Sequence, residues 1–191
     1  MANYERTFKS AVWTDGLFEM MSNVEKLFYI LIHVGEETSD CCMFQITPKR
    51  IAFHLGISVR KAEELIESFI GKGLIMYNFE HNEMLVLDYM KHNPCRGGLK
   101  YENYKKDFAK IKTQEFFTTL AEIAKYYPVT VGFLSALSEH VALDINDYDV
   151  KKSSEDMDSV KTVQQRGRDK TIQKRAESKI TAIVDDDDLP F

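Results

Sequence analysis

The sequence predicts an α+β fold that is mainly helical and runs out into a disordered C-terminal tail, and three observations predict it. Helix-start signals recur at Ser22, Thr47 and Ser58, each followed by an apolar stripe at helical spacing. Two apolar runs of strand length, residues 74–79 and 84–90, flank the polar turn Glu80, His81, Asn82 and Glu83. Large apolar residues thin out after Asp144.

A short helix opened by Thr14 or Asp15 should carry Leu17, Phe18 and Met21 into the core. Ser22 with Glu25 forms a capping box, and Val24, Leu27, Phe28, Leu31 and Ile32 recur at i, i+3, i+4, i+7, i+8, so a helix is predicted over 23–34. Gly35 and the polar residues 36–40 end it. Residues 43–46 have the length and apolarity of a strand. Thr47 and Pro48 then stand at N-cap and first-turn positions, Ile51, Ala52 and Leu55 face inward, and Gly56 supplies a left-handed end. Ser58 caps the next helix, whose stripe is Ala62, Leu65, Ile66, Phe69 and Ile70, stopped by Gly71 and Gly73. Two helices across a tight glycine turn make a helix-turn-helix, and with the hairpin that follows the order is that of a winged helix-turn-helix over residues 1–92. A helical extension over 93–144 is patterned by Tyr104, Phe108 and Ile111, then Phe116, Phe117, Leu120, Ile123 and Ala124, and after Pro128 by Val131, Leu134, Leu137, Val141 and Ala142. Residues 145–184 are too polar to offset the entropy of ordering and read as a disordered tether to residues 185–191.

At 191 residues the chain suits one medium domain with appendages. Cys41, Cys42 and Cys95 fit neither a disulfide framework nor a CxxC metal site, which suggests a reducing cytoplasm. Residues 1–6 show no secretory pattern and no stretch reaches membrane-span length. The net charge of −5 is unevenly placed. Residues 91–112 hold seven basic residues, Lys91, Arg96, Lys100, Lys105, Lys106, Lys110 and Lys112, against Glu102 and Asp107, a local +5. Residues 160–179 hold another seven, against Asp169 and Glu177.

Several stretches carry a resemblance. They are Trp13-Thr14-Asp15; Ser22-Asn23-Val24-Glu25-Lys26-Leu27-Phe28; Ile51-Ala52-Phe53-His54-Leu55-Gly56-Ile57-Ser58; and Gly73-Leu74-Ile75-Met76-Tyr77 leading to Asp88-Tyr89-Met90-Lys91-His92-Asn93-Pro94. In this order they resemble the winged-helix domain of phage replisome organisers and the related DnaD-like primosome proteins of low-GC Gram-positive bacteria, over residues 1–112. Asp185, Asp186, Asp187, Asp188, Leu189, Pro190 and Phe191 resemble the acidic tip of bacterial single-stranded-DNA-binding protein. That resemblance implies a partner with an apolar pocket for the Phe191 ring beside an Arg for its carboxylate, with the Asp run steering the tip onto a basic rim.

On the helix after Ser58, Arg60 and Lys61 are offset by Glu63, Glu64 and Glu67, and the turn carries Glu80 and Glu83, which disfavours base reading there; the resemblance to DnaD-like proteins implies self-association instead. Lys49, Arg50, Arg60 and Lys61 are its best DNA contacts. The stronger DNA candidate is residues 91–112, where Lys91, Arg96, Lys100, Lys105, Lys106 and Lys110 are interleaved with Tyr101 and Tyr104, charge with stacking surface, as single strands require.

No catalytic constellation is found. His33, His54, His81, His92 and His140 share no motif with a nucleophile or paired carboxylate, no phosphate-binding loop or HExxH is present, and four consecutive Asp lack the fixed geometry of a metal site. No cofactor, metal or enzymatic activity is expected. The expected function is a phage or mobile-element replication protein, an initiator or replisome organiser, that works in the cytoplasm of a bacterial host. It would bind double- or single-stranded DNA, form a dimer or higher oligomer, and recruit host proteins that read the tail of single-stranded-DNA-binding protein. The alternatives are a single-strand-binding or recombination accessory protein, an inhibitor that mimics that tail, and a transcription repressor.

Overall fold

The computed structural model describes residues 10–93 and 101–151. The architecture is α+β and mainly helical, with one small antiparallel sheet. The expected tether beyond 151 and the tip at 185–191 lie outside the described residues. Among the described residues, no helix is long and apolar enough to cross a membrane.

A 3-10 turn over Ser10–Thr14 leads into α1 (Gly16–Glu19), which Asp15 caps by accepting from the Leu17 amide at 3.0 Å. Phe18 and Met21 are buried as expected, whereas Leu17 is left at the surface. The capping box opens α2 (Asn23–Val34) as predicted, with both reciprocal hydrogen bonds formed. Its buried face is Phe28, Tyr29, Ile32 and His33, and Leu27 is exposed. Nearly every position of 27–32 is apolar, so the sequence permits several rotations of this helix, and its neighbours select one.

β1 (Met43–Gln45) is followed by α3 (Pro48–Leu55), which ends at Gly56 with φ +64°. That left-handed conformation costs a residue with a Cβ about 1 kcal/mol or more. Ser58 accepts from the Lys61 amide and opens α4 (Val59–Gly71), which buries Ala62, Leu65, Ile66 and Phe69 but leaves Ile70 exposed. β2 (Ile75–Asn78) and β3 (Glu83–Val86) form the hairpin, with Asn82 at φ +53° in the turn. β3 lies between β1 and β2, pairing Phe44 with Met84 on one side and Tyr77 with Met84 on the other. The expected second strand is shorter than predicted, because Asp88 turns the chain into α5 (Tyr89–His92).

The extension contains α6 (Tyr101–Phe108), α7 (Gln114–Ala124) and α8 (Val131–Leu137). Helix α8 stops well before Asp144. Residues 145–151, expected to begin the tether, are folded instead: Ile145 and Tyr148 are buried, and β5 (Val150–Lys151) pairs in parallel with β4 (Val129–Thr130). The buried side chains of both halves form one connected core. Polar ties cross between them as well. Buried Glu83 accepts from the Lys112 and Thr113 amides at 2.8 and 2.9 Å and from the Thr113 hydroxyl at 2.6 Å, and Asn78 donates to that hydroxyl at 2.9 Å.

Candidate nucleic-acid interface

Helices α3 and α4 pack across residues 56–58, and the α4 surface away from the core presents Arg60, Lys61, Glu63, Glu64 and Glu67. Arg60 Nε and Lys61 Nζ lie 3.3 and 3.2 Å from opposite oxygens of Glu64. Hydrogen bonding from Lys61, then from Arg60, holds the Glu64 carboxyl below the usual carboxylate range. On α3, Lys49 is exposed, while Arg50 bonds Glu37, approaches Glu36 at 3.7 Å and lies 5.8 Å from the Phe53 ring centroid. Glu37 also meets His54 Nε2 at 3.0 Å. Exposed pairs of this kind are screened by solvent and add little to stability, so a phosphate can exchange for the carboxylate.

The basic helix of the extension departs from expectation. Tyr104 is 1% exposed, packed edge-on against Phe133 with ring centroids 5.3 Å apart, so it offers no face to a base. Tyr101 is half-buried, its hydroxyl donating to Glu139, with Lys105 Nζ 5.4 Å from its ring centroid. Tyr104 closes α6 onto α8 and Tyr101 ties it to Glu139 just beyond α8, which removes the stacking surface expected for a single strand. Lys105 pairs with Glu139 at 3.2 Å, Lys110 with Asp107 at 2.7 Å and Lys91 with Asp15 at 2.8 Å; Lys106 is exposed. Arg96 and Lys100 lie outside the described residues, as do the tip residues 185–191.

No protein-family model, curated protein or solved structure matches the chain.

Two features escaped the sequence. Glu83, expected as a surface charge on the hairpin turn, is buried and ties the hairpin to the start of α7, so it cannot repel a phosphate. Phe53 on α3 and Phe79 after β2 are instead 75% and 49% exposed, placing aromatic faces beside Arg50 and on the turn. A shallow groove of about 240 Å³, lined by residues that include Glu37, Gln45, Asp107 and Lys110, runs from the Glu37 side of α3 to the end of α6. Lys110 is the basic residue that borders this groove, and Asp107 offsets it.

Proposed function

We propose that this chain is a replication protein of a phage or mobile element, an initiator or replisome organiser, which holds DNA through its phosphates and recruits host replication and repair proteins through residues 185–191. In this reading α3, α4 and the β2–β3 hairpin act as a winged helix-turn-helix in the cytoplasm of a bacterial host. The observation that carries it is the pairing of Arg50, Arg60 and Lys61 on adjacent exposed helices, held only in surface ion pairs that phosphate can replace. The three carboxylates of α4 disfavour base reading there, so contact is made mainly to the backbone, with Lys49, Lys105, Lys106 and Lys110 adding charge. The burial of Tyr104 favours this reading over a dedicated single-strand-binding protein.

Recruitment rests on the Asp185–Phe191 sequence, where an apolar ring and a run of negative charge suit a pocket with a basic rim. The experiment immobilises duplex DNA, loads the full chain and passes bacterial lysate over it. Replication and repair proteins should be retained by the intact chain and lost when residues 189–191 are removed. Equal retention by both would refute the recruitment.

A further inference from the structure

Residues far apart in sequence meet beneath α2, where His33, Asp88 and His92 each turn a ligand atom to one point. The three atoms all lie within 4.8 Å of one another. We propose that His33 Nε2, Asp88 Oδ1 and His92 Nε2 form a binding site for a divalent transition-metal ion, with Zn²⁺ the best match to the donor set.

Distance is the first argument. His33 Nε2 and Asp88 Oδ1 are 3.2 Å apart. A charge-assisted hydrogen bond would be shorter, about 2.7 to 2.9 Å. A tetrahedral ion with bonds of about 2.0 to 2.1 Å holds neighbouring ligands roughly 3.3 Å apart. His92 Nε2 stands 3.8 Å from the other oxygen, Asp88 Oδ2, which a small rotation of either side chain brings into the same range.

The surroundings of the three ligands are the second argument. His33 Nδ1 is 2.8 Å from the Tyr29 carbonyl oxygen. A carbonyl only accepts, so Nδ1–H donates, which orients the ring with Nε2 toward Asp88. The Tyr29 hydroxyl donates to Asp88 Oδ2 and lies 3.0 Å from His92 Nε2. A histidine fixed through its other nitrogen by a carbonyl, and a carboxylate fixed by a hydroxyl, are the outer partners that orient metal ligands. The His33 ring is further held parallel to Tyr89, 13° between planes, and edge-on to His92.

Chemistry and access select the ion. Two imidazoles and one carboxylate suit Zn²⁺, Co²⁺ or Ni²⁺ and not Mg²⁺ or Ca²⁺, which prefer all-oxygen sites. His33 is fully buried, while the Asp88 side chain keeps 23% of its surface exposed and provides the way in. Three protein ligands leave a fourth position for solvent. The ion would join α2 to α5, across residues 33–88 of the chain.

The test titrates the full chain, after treatment with a chelator, with Co²⁺ and then Zn²⁺. One equivalent of Co²⁺ should give the visible absorption of a tetrahedral nitrogen–oxygen site, which Zn²⁺ then abolishes. His92→Gln and Asp88→Asn should each weaken binding about 10- to 100-fold, with far-UV circular dichroism confirming that each variant is folded. Asp185→Asn, Asp186→Asn, Asp187→Asn and Asp188→Asn together should leave the band intact. The proposal is overturned if the wild-type chain shows no stoichiometric band, because His33 and Asp88 then serve only as partners to each other. It is equally overturned if the band survives in both ligand variants or disappears with the acidic run.

Discussion

Glu83 places a carboxylate where two amides and a hydroxyl from Lys112 and Thr113 converge. Burial pushes its carboxyl up, but the Thr113 and Lys112 hydrogen bonds outweigh that and hold it below the usual range. Because the folded value lies below the unfolded one, the stabilisation is fully present above the unfolded pKa and disappears as pH falls through the folded one. Glu25 behaves alike: hydrogen bonds from Lys72, then from the Ser22 backbone and hydroxyl, bring it to about 2. Unfolding free energy should therefore fall between about pH 5 and pH 2. Glu25→Gln should remove about 1 to 2 kcal/mol of that dependence, discounted because the Lys72 side chain is a third exposed. Urea unfolding at pH 7 and pH 3 measures it. Glu83→Ala leaves buried donors unsatisfied and should cost about 1 to 3 kcal/mol at pH 7; an unchanged urea midpoint would contradict the tie. Neither role of Glu83 was legible, since a Glu-His-Asn-Glu run looks like solvated turn until the extension folds over it. Tyr104 was legible in two ways: its i,i+4 spacing from Phe108 matched a core stripe while its lysine neighbours matched a strand-binding face, and packing against Phe133 decided the matter.

At the scale of elements, the helix starts were readable because they rest on contacts three or four residues apart. Ser22 with Glu25, Thr47 with the Arg50 amide and Ser58 with the Lys61 amide all form the hydrogen bonds their spacing implies. The turn between α3 and α4 was readable for the same local reason, since Gly56 alone permits the left-handed residue that ends α3. A Cβ there meets nothing within 4 Å, so Gly56→Ala isolates the backbone term. It should destabilise by about 1 kcal/mol in urea unfolding without changing the far-UV spectrum; no loss would show that the turn adjusts. The rotation of α2 was not readable, because its apolar residues surround most of the helix and only the packing against α4 and α5 chooses Phe28, Tyr29 and His33 over Leu27. Convergence of His33 with Asp88 and His92 depends on that rotation, which is why scattered histidines gave no hint of it.

For the whole molecule, the uneven charge visible in the sequence becomes cations on α3, α4 and α6 that are already matched by carboxylates. The extension is not an appendage loosely following the hairpin. Glu83, Asn78 and Gln45 all bond residues 110–113, and β5 returns to pair with β4. That long-range closure was beyond reach of local patterning, and residues 145–151 looked like the start of a tether for the same reason. Displacing intramolecular carboxylates should make DNA affinity strongly dependent on salt, with little preference among sequences. The most direct measurement is fluorescence anisotropy of labelled duplex DNA against the full chain from 50 to 200 mM salt, with the Arg60→Glu, Lys61→Glu double variant alongside. The account predicts a linear fall of log affinity with log salt for the wild type. The double variant should show a slope shallower by about 2 and weaker binding throughout. Absence of binding at 50 mM salt, or identical slopes for the two proteins, would contradict it.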